Sequence, residues 1–361
     1  MSARFSWEMT INGFVSQREK RFSLLSEIKK GLSGMQRAVH VIGLLVLTCA
    51  SASGGVTDPA YDFVVAKDGS GNFSTIQDAV TACRDYSERD YTIFVKKGVY
   101  EEKLIIPSWK RSITLIGESV ESTIVTYNDY SGKLDSSGRK HGTFTSHTCR
   151  ISGTDITVEN MTFVNSAGRV GQAVAIHVEG DRCVFRNCRF IGNQDTLLGA
   201  GEYCRQYFTD CYIEGTTDFI FGPSTAVFER CTIQSKKNSY ITAASTPAAQ
   251  KFGFVFLDCK FLADSETTKV YLGRPWRLYA YTAFIRCDLG KHILPEGWHN
   301  WSKPEAELTA RYLEYKNYGP GARPSTRVPW SRQLSKEEAE KITPQSVLAG
   351  SDGWNPVRQG K

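Results

Sequence analysis

A repeated cysteine frame constrains the fold of this chain more than any other feature of its sequence. Five segments share the pattern Phe-x-x-Cys-x-hydrophobic, namely Phe185–Phe190, Phe208–Ile213, Phe228–Ile233, Phe256–Phe261 and Phe284–Leu289, and Val158–Phe163 is a looser copy with Met161 in place of cysteine. The cysteines recur at intervals of 23, 20, 28 and 28 residues, and recurrence at about 20–50 residues is typical of a solenoid. Because each unit is a short strand with period-two alternation, the sequence predicts an all-β fold, a parallel β-helix rather than a stack of helices.

The segments that flank the repeat predict how the coil begins and ends. Strands are expected at residues 61–66, 92–95, 113–116 and 123–125, with the repeated rungs at about residues 150–290. Ser74–Gln77 has the pattern of a capping box, which predicts a short helix to about Tyr86 that covers the N-terminal end of the coil. A second such box at Ser335–Glu338 predicts another short helix, within a tail of residues 302–361 packed on the coil.

The charge of the chain is uneven, and its distribution excludes one class of partner. The formal net charge is +6, of which seven Lys or Arg and three Asp or Glu in residues 1–52 supply +4. The remaining residues, 53–361, are therefore nearly neutral, with a net charge of +2. A nucleic-acid-binding protein needs a concentrated basic surface, so we expect no nucleic-acid partner.

The first 52 residues resemble a targeting leader ahead of a single domain at residues 53–361. Val41–Ala50 is a ten-residue apolar run, too short to span a bilayer and of the length of a signal-peptide core. Small residues at Ala50 and Ala52 predict cleavage near Ala52, and the long charged stretch ahead of Met35 suggests that Met35 is the true start. We expect an exported protein, secreted or periplasmic, with no integral membrane span. A lipid anchor at Cys49 is disfavoured because Leu47-Thr48 lacks the usual small residue before the cysteine.

The cysteines that remain after the leader are nine in number. Five of them occupy one column of the repeat, where we expect small buried thiols stacked inside the coil. Export would permit disulfides, and Cys204 with Cys211 is the favoured pair if one forms. Cys183-x4-Cys188 is too wide for a zinc knuckle and has no second knuckle to complete it.

Two aspartates share one position in the repeat. Asp195 lies seven residues after Cys188, and Asp218 lies seven residues after Cys211. If the register holds, their carboxylates stack on neighbouring rungs about 4.8 Å apart. Two carboxylates at so short a distance cannot both ionise freely, so their pKa values should differ. One aspartate would then serve as an acid and the other as a base or nucleophile. The alternative, on the spacing alone, is two unrelated surface aspartates.

Five short motifs around the central rungs connect the repeat to a known family. They are Gly98–Glu101 (GVYE), Gln172–Ala175 (QAVA), Gly192–Leu198 (GNQDTLL), Asp218–Gly222 (DFIFG) and Leu272–Trp276 (LGRPW). Together, in this order and spacing, they resemble the pectin methylesterase family over roughly residues 61–320. The resemblance implies a right-handed parallel β-helix that hydrolyses the C6 methyl esters of pectin and oligogalacturonides to pectate and methanol. It further implies that the reaction needs no metal. We also expect no cofactor and a monomer.

The resemblance also implies a role for each residue that ester hydrolysis requires. Asp218 would be the nucleophile, with Arg274 holding its pKa down and orienting it by a bidentate fork. Asp195 would begin protonated, act as general acid and then activate water as general base. Gln172 and Gln194 would direct amide N–H groups at the developing oxyanion. On residue type alone, Gln172 could belong to a structural ladder and Arg274 could pin the turn before Pro275.

Aromatic residues near the motifs are candidates for holding the sugar chain. Trp276 and Trp298 could be core, but a tryptophan near Gly and Pro often stacks on a pyranose, so we expect both to bind substrate. Phe144 and Phe221 are further candidates, and the resemblance adds Thr143 as a hydrogen-bonding residue.

Two departures from the family pattern put subsite preference in doubt. Leu198 replaces the usual aromatic after Asp-Thr-Leu, and the Gly199–Cys204 segment is about two residues longer than in plant-type enzymes.

Other readings of the sequence fit less well. His141, His147 and His177 suggest Ser/His catalysis, but the chain has no Gly-x-Ser-x-Gly elbow. Gly69-x-Gly71 predicts a turn, since no nucleotide-binding strand–loop–helix unit surrounds it. A polygalacturonase would also use paired carboxylates on a β-helix, but its Asn-Thr-Asp and Gly-His-Gly signatures are missing. A carbohydrate-binding or envelope β-helix without activity would not be expected to keep all five reactive residues.

Overall fold

Three parallel sheets form the framework of the described chain, residues 60–357 of a computed structural model. In spatial order, sheet A contains β1 (Phe63–Val65), β2 (Tyr91–Val95), β5 (Arg111–Gly117), β8 (Thr154–Glu159), β11 (Cys183–Arg186), β14 (Arg205–Thr209), β17 (Thr225–Glu229), β20 (Phe254–Leu257), β23 (Tyr281–Ile285), β25 (Arg311–Tyr315) and β26 (Arg332–Gln333). Sheet B contains β3 (Gly98–Glu101), β6 (Thr123–Tyr127), β9 (Thr162–Asn165), β12 (Arg189–Ile191), β15 (Tyr212–Gly215), β18 (Thr232–Ser235), β21 (Lys260–Ala263) and β24 (Asp288–Leu289). Sheet C contains β4 (Leu104–Ile106), β7 (Cys149–Ile151), β10 (Ile176–Val178), β13 (Leu197–Gly199), β16 (Ile220–Gly222), β19 (Tyr240–Ala244) and β22 (Tyr271–Gly273).

From β2 to β24 the chain visits sheets A, B and C in turn, so each set of three strands is one rung of a coil. The coil is right-handed, the hand that parallel crossovers nearly always adopt. The predicted right-handed parallel β-helix is therefore confirmed. The expected leader, with its proposed start at Met35 and with Cys49, lies outside the described residues.

Phenylalanines of the repeat stack along the inside of sheet A. Register pairs in β11, β14, β17, β20 and β23 align Phe185, Phe208, Phe228, Phe256 and Phe284. Successive ring centroids lie 4.6, 4.8, 4.6 and 4.7 Å apart, in nearly parallel planes. The spacing equals the distance between neighbouring strands, so each copy of the repeat adds one ring to a continuous buried stack.

A left-handed turn explains why cysteine follows the phenylalanine at a fixed distance. The residue before each column cysteine, namely Asn187, Asp210, Arg230, Asp258 or Arg286, has φ between 49° and 56°, and there the chain turns from sheet A to sheet B. The next thiol lies 3.2–3.6 Å from the carbonyl oxygen of the phenylalanine one rung earlier, in the pairs Cys211–Phe185, Cys231–Phe208, Cys259–Phe228 and Cys287–Phe256. A cysteine is small enough for this crowded corner and supplies a weak donor to a buried carbonyl. All nine cysteines of residues 60–357 are free thiols, so no disulfide joins Cys204 to Cys211.

The N-terminal helix is shorter than the sequence predicted. Helix α1 is Ile76–Ala82, and its N-cap is Thr75, whose hydroxyl accepts from the N–H of Asp78. It ends four residues before Tyr86 because Cys83 is already extended. The Lys110 ammonium donates to the carbonyls of Thr81 and Cys83, so it satisfies acceptors that the helix end leaves open.

The C-terminal tail continues sheet A and then covers its outer face. Although the sequence repeat fades after Trp301, β25 and β26 add further strands to the sheet. Helix α2 (Lys336–Glu340) starts at the predicted Ser335–Glu338 capping box, and helix α3 (Pro344–Leu348) follows it. Short 3-10 helices lie at Thr143–Thr145, Pro304–Leu308 and Pro324–Thr326. No helix within residues 60–357 is long and apolar enough to cross a membrane.

Candidate active site

The two aspartates of the repeat occupy the same place on neighbouring rungs of sheet C. Strands β13 and β16 pair Leu197 with Ile220, which aligns Asp195 with Asp218, each two residues earlier. The backbone N–H of Asp195 donates to the carbonyl of Thr217 at 3.1 Å, as the same register requires. Both aspartates have left-handed backbones, with φ of 66° and 49°, a conformation that aspartate tolerates better than most residues. The stacking predicted from the cysteine frame is confirmed.

Arg274 holds the carboxylate of Asp218 with two hydrogen bonds. Its Nε lies 3.0 Å from Oδ1 and its Nη2 lies 2.7 Å from Oδ2. Arg274 directly follows β22, and its N–H donates to the carbonyl of Thr242 at 2.9 Å, which fixes the base of the side chain. A two-point fork fixes the plane of the carboxylate as well as its charge.

The environment separates the pKa values of the two aspartates. Burial first, and then the negative charge of Asp218, raise the pKa of Asp195 to about 8, although the positive charge of Arg274 opposes both. Burial also raises the pKa of Asp218, against the hydrogen bonds and charge of Arg274. Arg274 lowers this pKa, as expected, but desolvation outweighs the arginine, so the pKa of Asp218 lies above its ordinary value. The arginine still makes Asp218 the member of the pair that ionises first, leaving Asp195 protonated at neutral pH.

Two glutamines share the cavity with the aspartates. Gln172 and Gln194 face each other in an isolated parallel bridge, one rung apart. Both line a cavity of about 270 Å³ together with Asp195, Asp218 and Arg274. The structure thus gathers all five predicted reactive residues around one space, from positions more than one hundred residues apart in the chain.

Four of the five predicted substrate-binding residues line the same cavity. These are Thr143, Phe144, Phe221 and Trp276. Phe144 is 52% exposed at the rim, whereas the Phe221 ring lies 5.9 Å from the ring of Trp276 on the cavity wall. These residues provide apolar surface beside the polar groups of the cavity, a combination that is usual in ligand-binding sites.

Trp298 was wrongly predicted to bind substrate. It is only 1% exposed, its ring stacks on Tyr312 at 4.1 Å, and its Nε1 donates to Glu314 at 3.3 Å inside the coil. The tryptophan that lines the cavity is Trp301, three residues later. Both stand in a loop without strand periodicity, so the sequence offered no signal for which of them faces outward.

The residues that depart from the family pattern lie next to the cavity. Leu198 is fully buried and packs with Phe221 and Ala243. It also contributes to a neighbouring cavity of about 220 Å³, whose lining includes Ala200, Glu202, Trp276 and Arg277. Leu198 thus places an aliphatic side chain where the family pattern has an aromatic one.

The three histidines considered for Ser/His catalysis lie apart from the reactive groups. His147 and His177 pack edge to face at 5.7 Å, and burial lowers the pKa of each. His141 Nε2 lies 3.3 Å from the buried carboxylate of Asp129. None of the three lines the cavity, and we find no reason in the described residues to give them a part in the reaction.

Comparison with known sequences gives one consistent family. The Pectinesterase family model matches residues 62–351. Pectinesterase 31 of Arabidopsis thaliana is 41% identical over 304 residues, covering 82% of this chain and 95% of its own length. The chain spans about half the length of two relatives, from Brassica napus and Brassica campestris, that are named as pectinesterase/pectinesterase inhibitor proteins and are 39% identical to it.

Solved structures agree with the sequence relatives. Pectin methylesterase from carrot superposes with a TM-score of 0.75 at 34% identity, covering 83% of this chain and 98% of its own. A pectin methylesterase in complex with hexasaccharide VII superposes with a TM-score of 0.72 at 31% identity, covering 83% and 99%.

Proposed function

The chain belongs to the pectinesterase family, and we propose that it hydrolyses the C6 methyl esters of pectin to pectate and methanol. The observation that carries this proposal is the pair of buried aspartates, one forked by Arg274 and the other with its pKa raised to about 8. A nucleophilic carboxylate and a neutral carboxylic acid in one cavity are what two-step ester hydrolysis needs.

In the first step, Asp218 acts as the nucleophile. Its ionised oxygen attacks the C6 carbonyl carbon of a methyl-esterified galacturonate, and the carbonyl oxygen takes up the negative charge. Gln172 and Gln194, which line the cavity, donate amide N–H groups to that oxyanion. Losing one such donor typically raises the barrier by about 2.7–4 kcal/mol.

Asp195 completes the first step as general acid. As the tetrahedral intermediate collapses, the bond from C6 to the methoxy oxygen breaks, and the Asp195 proton goes to that oxygen to form methanol. The galacturonyl group is left joined to Asp218 as an anhydride, and Asp195 is now a carboxylate. A pKa of about 8 suits this task, because the acid is protonated at neutral pH and can still give up its proton.

The second step regenerates the enzyme with water. The Asp195 carboxylate takes a proton from a water molecule, whose oxygen attacks C6 of the anhydride. The bond between C6 and Asp218 breaks, and Asp218 leaves as a carboxylate stabilised by Arg274. The net reaction consumes one ester and one water and yields one galacturonic acid and one methanol.

The remaining expectations complete the proposal. Methyl-esterified homogalacturonan and its oligosaccharides are the substrates, held by Thr143, Phe144, Phe221 and Trp276, and the reaction requires no cofactor. Because a cell-wall polymer lies outside the cell, residues 1–52 act as an export leader for a single catalytic domain at residues 53–361. One chain supplies every reactive group, so the proposed reaction needs no second copy, and we propose that the protein works as a monomer.

A methanol-release assay on highly methylated pectin tests the proposal, with wild type and Asp218→Asn in parallel. Asparagine keeps the shape of aspartate and tolerates the left-handed backbone, but it is no nucleophile. We expect wild type to release methanol without new reducing ends. We expect turnover by Asp218→Asn to fall below about one per cent of wild type while oligogalacturonate still binds.

Two outcomes would contradict the proposal in different ways. New reducing ends without methanol would identify a glycosidase instead of an esterase. Methanol release by Asp218→Asn above that level, with wild type active, would exclude the covalent aspartyl mechanism and leave the esterase activity standing.

A further inference from the structure

The guanidinium of Arg274 is enclosed by two aromatic rings. Its Cζ lies 3.9 Å from the ring centroid of Tyr240 and 3.6 Å from that of Trp301. Two rings cannot lie this close over the same face of a planar group, so they cover its two opposite faces. Only the edges of the guanidinium remain for hydrogen bonding, and one edge carries the fork to Asp218.

The two rings form a clamp around Arg274. On one side of this clamp, Tyr240 is part of an aromatic stack on sheet C. Tyr240 begins β19 and stacks on Tyr271 of β22, with ring centroids 5.4 Å apart and planes 14° from parallel. The His299 ring packs against both of them, at 5.4 and 5.3 Å. Strand pairing and ring packing therefore fix the orientation of Tyr240 independently of Arg274.

On the other side of the clamp, Trp301 lies in a turn with an uncommon backbone conformation. Trp301 and Ser302 both have left-handed backbones, with φ of 58° and 54°, which a bulky residue such as tryptophan seldom adopts. The N–H of Trp301 donates to Nδ1 of His299 at 2.9 Å and so anchors this turn. Strain of this kind persists only where surrounding contacts enforce it, and it is concentrated at functional sites.

Lys303 ties the tryptophan to the loop that follows Arg274. Its ammonium lies 4.8 Å from the ring centroid of Trp301. It also donates to the carbonyls of Pro275 at 3.3 Å and Trp276 at 3.0 Å. The result is an alternating series of aromatic and cationic groups, in the order Tyr240, Arg274, Trp301 and Lys303.

We propose that Tyr240 and Trp301 are positioning residues that clamp Arg274 so that its fork holds the Asp218 nucleophile in the attacking orientation. The inference rests on the proposed function, because it assumes that Asp218 is the nucleophile. A long arginine side chain has many rotamers, and the ring faces confine it to the one that meets the carboxylate. The rings also exclude water from both faces of the guanidinium, so its charge acts on Asp218 with little screening.

Tyr240 gives the clearest test, because it contacts Arg274 but does not line the cavity. In Tyr240→Leu we expect kcat to fall by about 10- to 100-fold, the range that a misplaced reactive group commonly costs, with KM within about twofold of wild type. A weaker hydrogen-bonding fork from Arg274 should raise the pKa of Asp218, so the acid limb of the kcat/KM profile should move to higher pH. Tyr240→Phe keeps the ring face and should restore most of the lost rate.

A matched control separates positioning from general destabilisation. Tyr212 also lies under an arginine, with the Cζ of Arg189 5.2 Å from its ring centroid, but on sheet B, away from the cavity. Tyr212→Leu should leave kcat, KM and the acid limb at wild-type values. If Tyr240→Leu does not fold, Trp301→Leu and Trp301→Phe are judged by the same movement of the acid limb and the same rescue.

The outcomes distinguish this inference from the proposed function. A wild-type protein that releases no methanol removes the proposed function. An active wild type with a folded Tyr240→Leu that keeps its kcat and its acid limb overturns the clamp alone. A Tyr240→Phe as slow as Tyr240→Leu overturns it as well, because the ring face would then have no part in the effect.

Discussion

At the scale of single residues, two aspartates with the same backbone conformation acquire different chemistry from their neighbours. Asp195 and Asp218 sit one rung apart, both left-handed and both less than 9% exposed. What distinguishes them is Arg274, whose fork reaches only Asp218. In the proposed mechanism, Arg274 therefore decides which carboxylate attacks and which one keeps its proton.

Replacing Arg274 should reveal the two parts of its role separately. Arg274→Lys keeps the point charge but loses the planar fork, so we expect kcat to fall by about 10- to 100-fold with a small change in the pH profile. Arg274→Gln also removes the charge, which opposes the raised pKa of Asp218 in the wild type. That pKa should then rise. Because Asp218 must be ionised to attack in the proposed mechanism, the acid limb should move to higher pH.

Both variants can be compared with wild type by steady-state methanol release between about pH 4 and 9. This range spans the ordinary pKa of a carboxyl group and the raised one. An acid limb unmoved in Arg274→Gln, with near wild-type activity at its optimum, would show that Arg274 only braces the turn before Pro275.

At the scale of elements, the cysteine column is a structural feature of the turns between sheets A and B. Each turn needs one left-handed residue and then a small side chain in a closed corner, where the thiol meets a carbonyl of the rung before. Alanine would fit the space but leave that carbonyl without the weak donor.

Mass spectrometry of the unreduced, denatured protein should find the column cysteines free. Cys231→Ala should lower the free energy of unfolding by about 1–2 kcal/mol, because it opens a sulfur-sized void and removes a donor. Cys204→Ala is the control: Cys204 is only partly buried, and the expected loss is within about 0.5 kcal/mol. Urea unfolding measures both, and a disulfide between any two column cysteines would contradict the packing described.

The rungs could be predicted from the sequence because their periodicity is set by packing. The cysteine frame fixed the register, and the register alone brought Asp195 beside Asp218. Strands β3 and β4 were not predicted, since Gly98–Glu101 and Leu104–Ile106 show too little alternation of apolar and polar residues. Trp298 was misassigned for a related reason. In a loop, the choice between facing the core and facing the cavity is made by tertiary packing, which the sequence does not display.

At the scale of the whole molecule, the C-terminal tail covers an apolar surface on the outer face of sheet A. Outward-facing side chains of sheet A form an apolar column that includes Val184, Tyr207, Val227, Val255 and Ala283. Leu334, Ile342, Val347 and Leu348 of the tail pack on it. Arg205 then ties Asp352 of the tail to Asp181 of the coil by ion pairs. The tail is thus a structural part of the catalytic domain.

Placing a charge under the tail should therefore destabilise the entire domain. Leu348 is fully buried, and Leu348→Asp would bury an unpaired carboxylate at a cost of about 3 kcal/mol or more. Leu308→Asp is the matched control, since Leu308 is 88% exposed and should tolerate the same change within about 0.5 kcal/mol. Urea unfolding of both variants measures the difference. Equal stabilities would show that the tail rests on the coil without supporting it.

The reactive pair should also affect how the stability of the whole molecule depends on pH. The pKa of Asp195 rises from 3.8 to about 8 on folding, mainly because of burial. Between these two pH values the unfolded chain has released this proton and the folded protein still holds it, so stability from this group is lost as pH increases through that window. Asparagine cannot titrate, so Asp195→Asn should be more stable than wild type at pH 8, by on the order of 1–3 kcal/mol.

The difference between Asp195→Asn and wild type should shrink as pH falls to about 4, where Asp195 is protonated in the folded state and about half protonated in the unfolded one. Thermal unfolding at several pH values measures this trend, with Asp90→Asn, at an exposed position, as the control. A difference that stays constant between pH 4 and 8 would contradict the raised pKa. A difference that grows with pH, in a variant that no longer releases methanol, would show that the protein gives up stability to keep an acid protonated beside its nucleophile.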